Sequence, residues 1–322
     1  MSNQFTKQNN NIRLFALNGN KPLAEKVSKE LNVPLSECSV NRFADGEVQV
    51  DIQDSIRNDI VFVIQTTSNP VNENLMELLI FIDALKRASA KEINIVIPYY
   101  GYSRQDRKAK SRQPITAKLV ANLLETAGAD RVIAVELHAS QIQGFFDIPT
   151  DHLNATKPTM EYIEKNIGLE DLVIVSPDHG GAKRADKMAK KLGDLPIAIL
   201  DKRRPAPNVA AIETIIGDVD GKNCLIIDDM VDTAGTLTAG AEAIKRAGAK
   251  KIYALCVHGV LSDPAVERIN NSVLEELIIT DSIEHTKDLG DKIKQITIAG
   301  TLAEAITKVF EGKSISDLFG GN

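Results

Sequence analysis

Short β-branched runs alternate along this chain with stretches of helical periodicity, and no other feature limits the fold as much. The runs fall at 12–17, 60–64, 93–97, 132–135, 172–175, 197–200, 225–227, 252–257 and 277–279. Each is nearly all apolar, as a strand must be when helices cover both faces of its sheet. The intervening stretches have the helical period. Leu119, Val120, Leu123 and Leu124 form one stripe, stopped by Gly128; Ala185, Met188, Ala189 and Leu192 form another, closed by Gly193. Residues 73–90 are apolar on most sides, which predicts a buried helix. The alternation predicts an α/β protein with mostly parallel sheets flanked by helices.

A length of 322 residues fits two domains of ordinary size. One internal similarity supports two related halves. Ala127-Gly128-Ala129, followed by Ala134 and His138, recurs with the same spacing as Ala247-Gly248-Ala249, Ala254 and His258. Each copy reads as a helix end, a turn and a strand. The expected organisation is a disordered segment at 1–11, a first domain at 12–150 and a second at 151–303. A final helix and tail at 304–322 are expected to pack back on the first domain.

Lys and Arg total 38 against 44 Asp and Glu, a net charge of −6, which argues against a general nucleic-acid binder. Local cationic clusters remain compatible with phosphate ligands. Cys38, Cys224 and Cys256 are far apart and lack metal-ligand spacing. Cys224 and Cys256 lie in apolar runs and read as buried free thiols. With a polar start that lacks the apolar stretch of a secretory signal, and no apolar run long enough to cross a bilayer, the expectation is a cytoplasmic protein without membrane contact.

The strongest local signal is Cys224-Leu225-Ile226-Ile227-Asp228-Asp229-Met230-Val231-Asp232-Thr233-Ala234-Gly235-Thr236. An apolar strand runs into two adjacent carboxylates, and a small-residue turn then opens a helix. Such a turn exposes backbone N–H groups to an anion, and Thr233 and Thr236 add hydroxyl donors. A phosphate sits badly beside Asp228 and Asp229 unless those acids have another task, and two carboxylates can hold vicinal ribose hydroxyls. The parts together fit a sugar 5-phosphate, although any single Asp taken alone reads better as a solvated helix cap.

This run resembles the PRPP-binding signature shared by type I phosphoribosyltransferases and PRPP synthetases, and alone it leaves both open. Further segments resemble the synthetases, the ribose-phosphate pyrophosphokinases of the bacterial class I type. They are Arg42-Phe43-Ala44-Asp45-Gly46-Glu47, Tyr99-Tyr100-Gly101-Tyr102-Ser103-Arg104-Gln105-Asp106-Arg107-Lys108, Glu136-Leu137-His138-Ala139 with Gln141-Ile142-Gln143-Gly144-Phe145-Phe146, Ser176-Pro177-Asp178-His179-Gly180-Gly181, and Asp201-Lys202-Arg203-Arg204-Pro205. The resemblance covers about 12–319, in the family's order.

The resemblance implies two similar phosphoribosyltransferase-type domains, the first on the ATP side and the second on the ribose 5-phosphate side. It implies transfer of a diphosphoryl group from Mg-ATP to ribose 5-phosphate, giving PRPP and AMP for nucleotide, His and Trp biosynthesis. Lys202 and Arg204 are then the catalytic pair, on a loop that closes over the reacting phosphates. Phe43, Asp45, Glu47, Arg104, Gln105, Asp106 and His138 contact ATP. Asp228, Asp229, Asp232, Thr233, Ala234, Gly235 and Thr236 hold ribose 5-phosphate. Asp178, His179, Gly180 and Gly181 form the pyrophosphate loop, and His138 and Asp178 approach Mg²⁺. Asp178 suits that hard cation better than His138 does.

A homohexamer is also implied, with Phe43, Asp45 and Glu47 reaching a neighbouring subunit's adenine site. ADP and inorganic phosphate are implied effectors, through a tail that includes Lys313-Ser314-Ile315-Ser316 and Leu318-Phe319. A regulatory homologue without turnover would lack site charges, whereas His138, Asp178, Lys202, Arg204, Asp228 and Asp229 are all present. The chain departs from the family pattern at Glu136, where Asp is usual, at Ala182-Lys183, and at Gly259 and Asp263, where Pro and Gly are usual.

Overall fold

The computed structural model describes residues 11–203 and 212–319, with the backbone alone at 202, 203, 212 and 213. The segment expected to be disordered lies, except for Asn11, outside the described residues, as does Arg204. The chain divides into two compact units. One comprises the residues up to Ala155, Ser282–Glu284 and the residues from Thr297 onward; the other comprises Thr156–Asp281 and His285–Ile296.

The first unit begins β1 (Ile12–Ala16), α1 (Lys21–Leu31), β2 (Cys38–Arg42), β3 (Val48–Ile52), β4 (Ile60–Ile64), α2 (Val71–Arg87), β5 (Glu92–Ile97), α3 (Thr116–Ala127), β6 (Arg131–Val135) and β7 (Thr150–Leu153). Strands β1, β4, β5, β6 and β7 form one parallel sheet in the order β1-β4-β5-β6-β7, while β2 and β3 pair antiparallel on their own. The core joins Phe15, Val61, Val63, Ile95 and Ile97 of the sheet to Leu78, Phe81, Ile82 and Leu85 of α2. Phe15 meets Phe81 edge-on, with ring centroids 5.2 Å apart.

Two helix expectations need correction. On α3 the buried stripe is Ala117, Val120, Ala121 and Leu124, whereas Leu119 is 53% and Leu123 38% exposed. The helix is turned so that its small alanines enter the core shared with the sheet and α2. Helix α2 is buried on one side rather than all round, with Met76 52% exposed.

The second unit continues α4 (Thr156–Tyr162), β8 (Leu172–Ser176), α5 (Ala182–Lys191), β9 (Ile197–Arg203), β10 (Ile212–Ile216), β11 (Asn223–Val231), α6 (Gly235–Arg246), β12 (Lys251–Gly259), α7 (Ala265–Asn270), β13 (Glu276–Thr280) and β14 (Ile293–Ile296). Its sheet has the order β10-β9-β8-β11-β12-β13-β14 and is parallel except for the β9–β10 pair. Alternate strand residues feed two cores. Cys224, Ile226, Ala254 and Cys256 pack with Leu237, Ala241 and Ile244 of α6, and Leu225, Ile227 and Leu255 pack with Ala185, Met188 and Ala189 of α5. The α5 stripe is thus buried as expected, and the thiols of Cys224 and Cys256 are buried and free. The last helix, α8 (Ala299–Phe310), belongs to the first unit and packs on α1.

Both units therefore have the expected α/β architecture of a mostly parallel sheet with flanking helices. Among the described residues no helix is long and apolar enough to cross a membrane.

Candidate functional site

The acidic run lies on the strand itself. β11 extends to Val231, so Asp228 and Asp229 are still in the ladder, with Asp228 in register with Cys256 of β12. The side chain of Asp228 is 34% exposed and that of Asp229 only 6%. Arg184, in the first turn of α5, places Nη1 3.2 Å from Oδ1 of Asp228 and 3.3 Å from Oδ1 of Asp229. The Asp229 amide also donates to Oδ1 of Asp228 at 2.9 Å. Burial, and then the Asp229 carboxylate, push the Asp228 carboxyl above the ordinary range, while Arg184 pulls it down. Burial, followed by the charges of Asp228 and Asp229, raises the Cys256 thiol, so Cys256 is neutral beneath them.

Beyond the strand the chain makes the turn that opens α6. Ala234 caps the helix in the left-handed conformation (φ 60°), a strained choice for a residue with a Cβ. The amides of the first helical turn have no partner within the helix and carry its positive dipole end. A cavity of about 130 Å³ lies here, lined by Asp228, Asp232, Thr233, Ala234, Gly235 and Thr236 among others. The structure thus brings together at this cavity every residue expected to hold the sugar phosphate except Asp229, whose nearly buried side chain is not among those lining it. Arg268 of α7 braces the turn from outside, with Nη1 donating to the Thr233 carbonyl at 3.0 Å.

The second anionic loop follows β8. Asp178 turns back on its own loop, where Oδ1 accepts from the Gly181 amide at 2.8 Å, and Ser176 Oγ donates to the Asp178 carbonyl at 2.7 Å. Gly181 is required by this closure, because a Cβ there would lie 2.8 Å from Ser176 Oγ. Its amide is therefore already engaged, which removes one donor expected to face pyrophosphate. His179 Nε2 lies 3.1 Å from Oδ1 of Asp201, near the end of β9. The segment 201–203 is strand rather than loop, since Asp201, Lys202 and Arg203 pair with Thr214, Glu213 and Ile212 of β10. The remainder of the segment that the resemblance makes a loop, at 204–211, lies outside the described residues.

In the first unit the residues expected at ATP lie on separate exposed turns. Phe43 (52% exposed), Asp45 and Glu47 are on the β2–β3 turn, which is closed by Phe43 N–H to Glu47 O at 2.9 Å and Gly46 N–H to Phe43 O at 2.9 Å. After β5, Tyr100 is buried and donates to the Ala117 carbonyl at 2.9 Å, and the Gly101 amide donates to Thr67 Oγ1 at 2.7 Å. A Cβ on Gly101 would lie 2.4 Å from the Thr67 carbonyl oxygen, so glycine is needed. Arg104, Gln105, Arg107 and Lys108 are then exposed, while Asp106 is half-buried and accepts from Gln141 at 3.3 Å. Oε1 of Gln105 accepts from Thr116 at 2.5 Å. His138 is exposed after β6.

Profile matches cover much of the chain. The N-terminal domain of ribose phosphate pyrophosphokinase matches residues 12–128, and a phosphoribosyl synthetase-associated domain matches residues 195–320. A ribose-phosphate pyrophosphokinase of Corynebacterium ammoniagenes is 59% identical over 320 residues, covering 99% of this chain and 100% of that protein. One of Bacillus subtilis is 59% identical over 321 residues with the same coverage. The chain belongs to the ribose-phosphate pyrophosphokinase family. The crystal structure of a phosphoribosylpyrophosphate synthetase from Mycobacterium smegmatis superposes with a TM-score of 0.90 at 44% identity, covering 94% of this chain and 99% of that one.

Sequence reasoning within this family missed Arg184 and Arg268, because a lone cation on a helix has no local pattern. A conformational signal was equally hidden. Tyr102 (φ 65°), Glu136 (φ 40°) and Ala234 (φ 60°) are left-handed residues other than glycine, in the loops that follow β5, β6 and β11. Glu136, where the family usually has Asp, sits in this conformation two residues before His138. Gly259 closes β12 where Pro is usual, and a Cβ there would lie 2.7 Å from Ile279 Cδ1. Asp263 is exposed, 3.7 Å from Lys287.

Proposed function

We propose that this chain is a ribose-phosphate diphosphokinase, transferring the β,γ-diphosphoryl group of Mg-ATP to the 1-hydroxyl of ribose 5-phosphate to give PRPP and AMP. The observation that carries the reading is the cradle after β11, in which Asp228, with Asp229 buried beside it on the strand, and the amide-rich start of α6 come together at one cavity lined by Asp228 and the 232–236 turn. A sugar phosphate needs both parts, an anion site at one end and acceptors for adjacent hydroxyls at the other. Asp228 and Asp229 take the ribose hydroxyls, and the 233–236 turn takes the 5-phosphate. Membership of the family supports the same chemistry.

The 1-hydroxyl oxygen bonds to the β-phosphorus as the bridging oxygen leaves with AMP. Positioning and charge neutralisation dominate such transfers. Lys202 and Arg204 offset charge at the β-phosphorus, and Arg104 pairs with triphosphate oxygens. Phe43, Asp45, Glu47, Gln105, Asp106 and His138 complete the ATP contacts, and the Asp178–Gly181 loop receives the diphosphate.

Mg²⁺ bound to the ATP phosphates supplies further neutralisation. Among the described residues no three His, Cys, Asp or Glu side chains gather as a metal cage. An exposed Asp178 with one oxygen held by Gly181 fits Mg²⁺, which keeps waters and substrate phosphates as ligands and takes few from the protein. Asp178 is the first protein ligand on this reading, with His138 acting directly or through water. The family reading extends to a cytoplasmic homohexamer inhibited by ADP and activated by phosphate.

The test supplies purified protein with ATP and ribose 5-phosphate, with and without Mg²⁺, and measures AMP. Release of AMP that depends on both substrates and on Mg²⁺ is expected, with turnover lost in Lys202→Ala. Activity only with PRPP and a nucleobase would overturn the assignment in favour of a phosphoribosyltransferase.

A further inference from the structure

We propose that Arg184 is a positioning residue for the acceptor sugar, its guanidinium spanning Asp228 and Asp229 and fixing the two carboxylates in the orientation that receives adjacent ribose hydroxyls. This rests on the acceptor reading of the cradle given above. Arg184 follows Gly181-Ala182-Lys183 in the first turn of α5, where its amide donates to the Gly181 carbonyl at 2.9 Å. The next residue, Ala185, is fully buried against the sheet with Met188 and Ala189. The helix is thus pinned by its apolar side, and Arg184 reaches β11 from a fixed base. Its side chain is 28% exposed, which leaves the guanidinium partly shielded from water.

The physical problem that Arg184 eases is set by the sequence. Adjacent carboxylates on one strand repel, and both are drawn from water by the buried sheet. Left alone, such a pair holds a shared proton. A protonated acid presents an O–H donor where a sugar hydroxyl needs an acceptor. Nη1 at 3.2 and 3.3 Å from the two Oδ1 atoms supplies the compensating charge, and together with the Asp229 amide it fixes the rotation of Asp228. Asp228 still borders the cavity in this arrangement.

The groups acting on Asp228 are Asp229 of its own strand, Arg184 of α5 and, in register on β12, the neutral thiol of Cys256. Asp232 borders the same cavity from the turn. Arg184 is the cation among these named groups, so its removal shifts the pair toward protonation.

The experiment measures AMP release by the full-length protein from pH 5.5 to 9 for the parent, Arg184→Gln, Arg184→Lys and Asp228→Asn. Arg184→Gln is expected to raise KM for ribose 5-phosphate on the order of tenfold at neutral pH, with KM for ATP nearly unchanged. The acid limb of kcat/KM for ribose 5-phosphate moves up by about one pH unit. The second ionisation of the sugar phosphate, near pH ~6, is common to all variants and cancels in the comparison. Arg184→Lys returns the limb toward its parent position but recovers KM only in part, because the flexible lysine stem does not hold its charge at the point where Nη1 meets both Oδ1 atoms. Ethylguanidine added to Arg184→Gly lowers KM again.

A limb that stays in place in Arg184→Gln, or a KM for ATP that rises in parallel, overturns the clamp. If Arg184→Gln loses its thermal transition, the limb of Arg184→Lys and the ethylguanidine response decide the matter in the same way. The acceptor reading fails separately: KM for ribose 5-phosphate would then be unchanged in Asp228→Asn, whatever the Arg184 variants do.

Discussion

The segment after β5 and the turn after β11 both leave the end of a buried parallel strand, the usual place for ligands in open α/β sheets, yet they hold their charges differently. After β11 the acids are still in the strand ladder. Asp229 is 6% exposed, Arg184 bridges the pair, and Arg268 ties down the turn that follows. After β5 the anchoring is apolar and backbone-based, through Tyr100 and Gly101, and Arg104, Arg107 and Lys108 then extend into solvent. The carboxylate geometry is therefore set before any ligand arrives, at the cost of burying charge. The cations of the second region sit on an exposed turn, where water and salt screen the contacts they make. Changes in the first region should alter affinity, pH response and stability together. Changes at the exposed cations of the second should alter affinity and salt response alone.

The largest expected effect is in the acidic pair. Asp229→Asn keeps the shape but removes a charge-assisted acceptor. KM for ribose 5-phosphate is expected to rise roughly fifty-fold, with KM for ATP unchanged, in the AMP-release assay. Equal rises in both KM values would erase the distinction between the regions. Arg104→Ala is the counterpart. It should raise KM for ATP about tenfold and leave the thermal midpoint within about 1 °C, because an exposed cation contributes little to folding. Its effect should also shrink with added salt, as solvent-exposed charges are screened. A loss that is indifferent to salt would place Arg104 in a shielded pair instead.

How much of this could be read in the sequence follows the same division. The strands that form the middle of each sheet are continuous apolar runs, so 93–97 and 225–227 were plain. β7, β10 and β14 were not, because each lies at a sheet edge and mixes polar with apolar residues, as in Thr150-Asp151-His152-Leu153. β2 and β3, paired only with each other, were hidden for the same reason. In the site, the 228–236 run was legible because its chemistry is contiguous. Arg184 and Arg268 lie 44 and 35 residues from their partners Asp228 and Thr233, and only the fold brings them there. The α3 stripe was misread because leucines outweigh alanines on any hydrophobicity count, although it is Ala117 and Ala121, with Val120 and Leu124, that the core buries.

The anchor beneath the cationic segment offers a smaller test. Tyr100→Phe removes a buried hydroxyl and leaves the Ala117 carbonyl without that donor. The expected cost is about 1–2 kcal/mol, a fall of about 2–4 °C in the midpoint. KM for ATP should change less than twofold, because the exposed cations are reached through backbone that Gly101 and Tyr102 still hold. A large rise in KM for ATP without loss of stability would mean that the segment is positioned as tightly as the acidic pair.

The smallest effect expected is at Arg268, and it probes the boundary of the preset region. Its guanidinium donates to the Thr233 carbonyl at 3.0 Å from a largely exposed position, so Arg268→Ala should cost less than about 1 kcal/mol in stability. The carbonyl can turn to water, but the turn then loses the brace that opposes the left-handed strain at Ala234. KM for ribose 5-phosphate should rise about threefold, and the rise should vanish for ribose itself tested as a weak competitor, since ribose lacks the phosphate that the turn receives. If ribose and ribose 5-phosphate lose affinity equally, Arg268 acts on the whole cradle rather than on its phosphate end, and the acidic pair and the turn form a single mechanical unit.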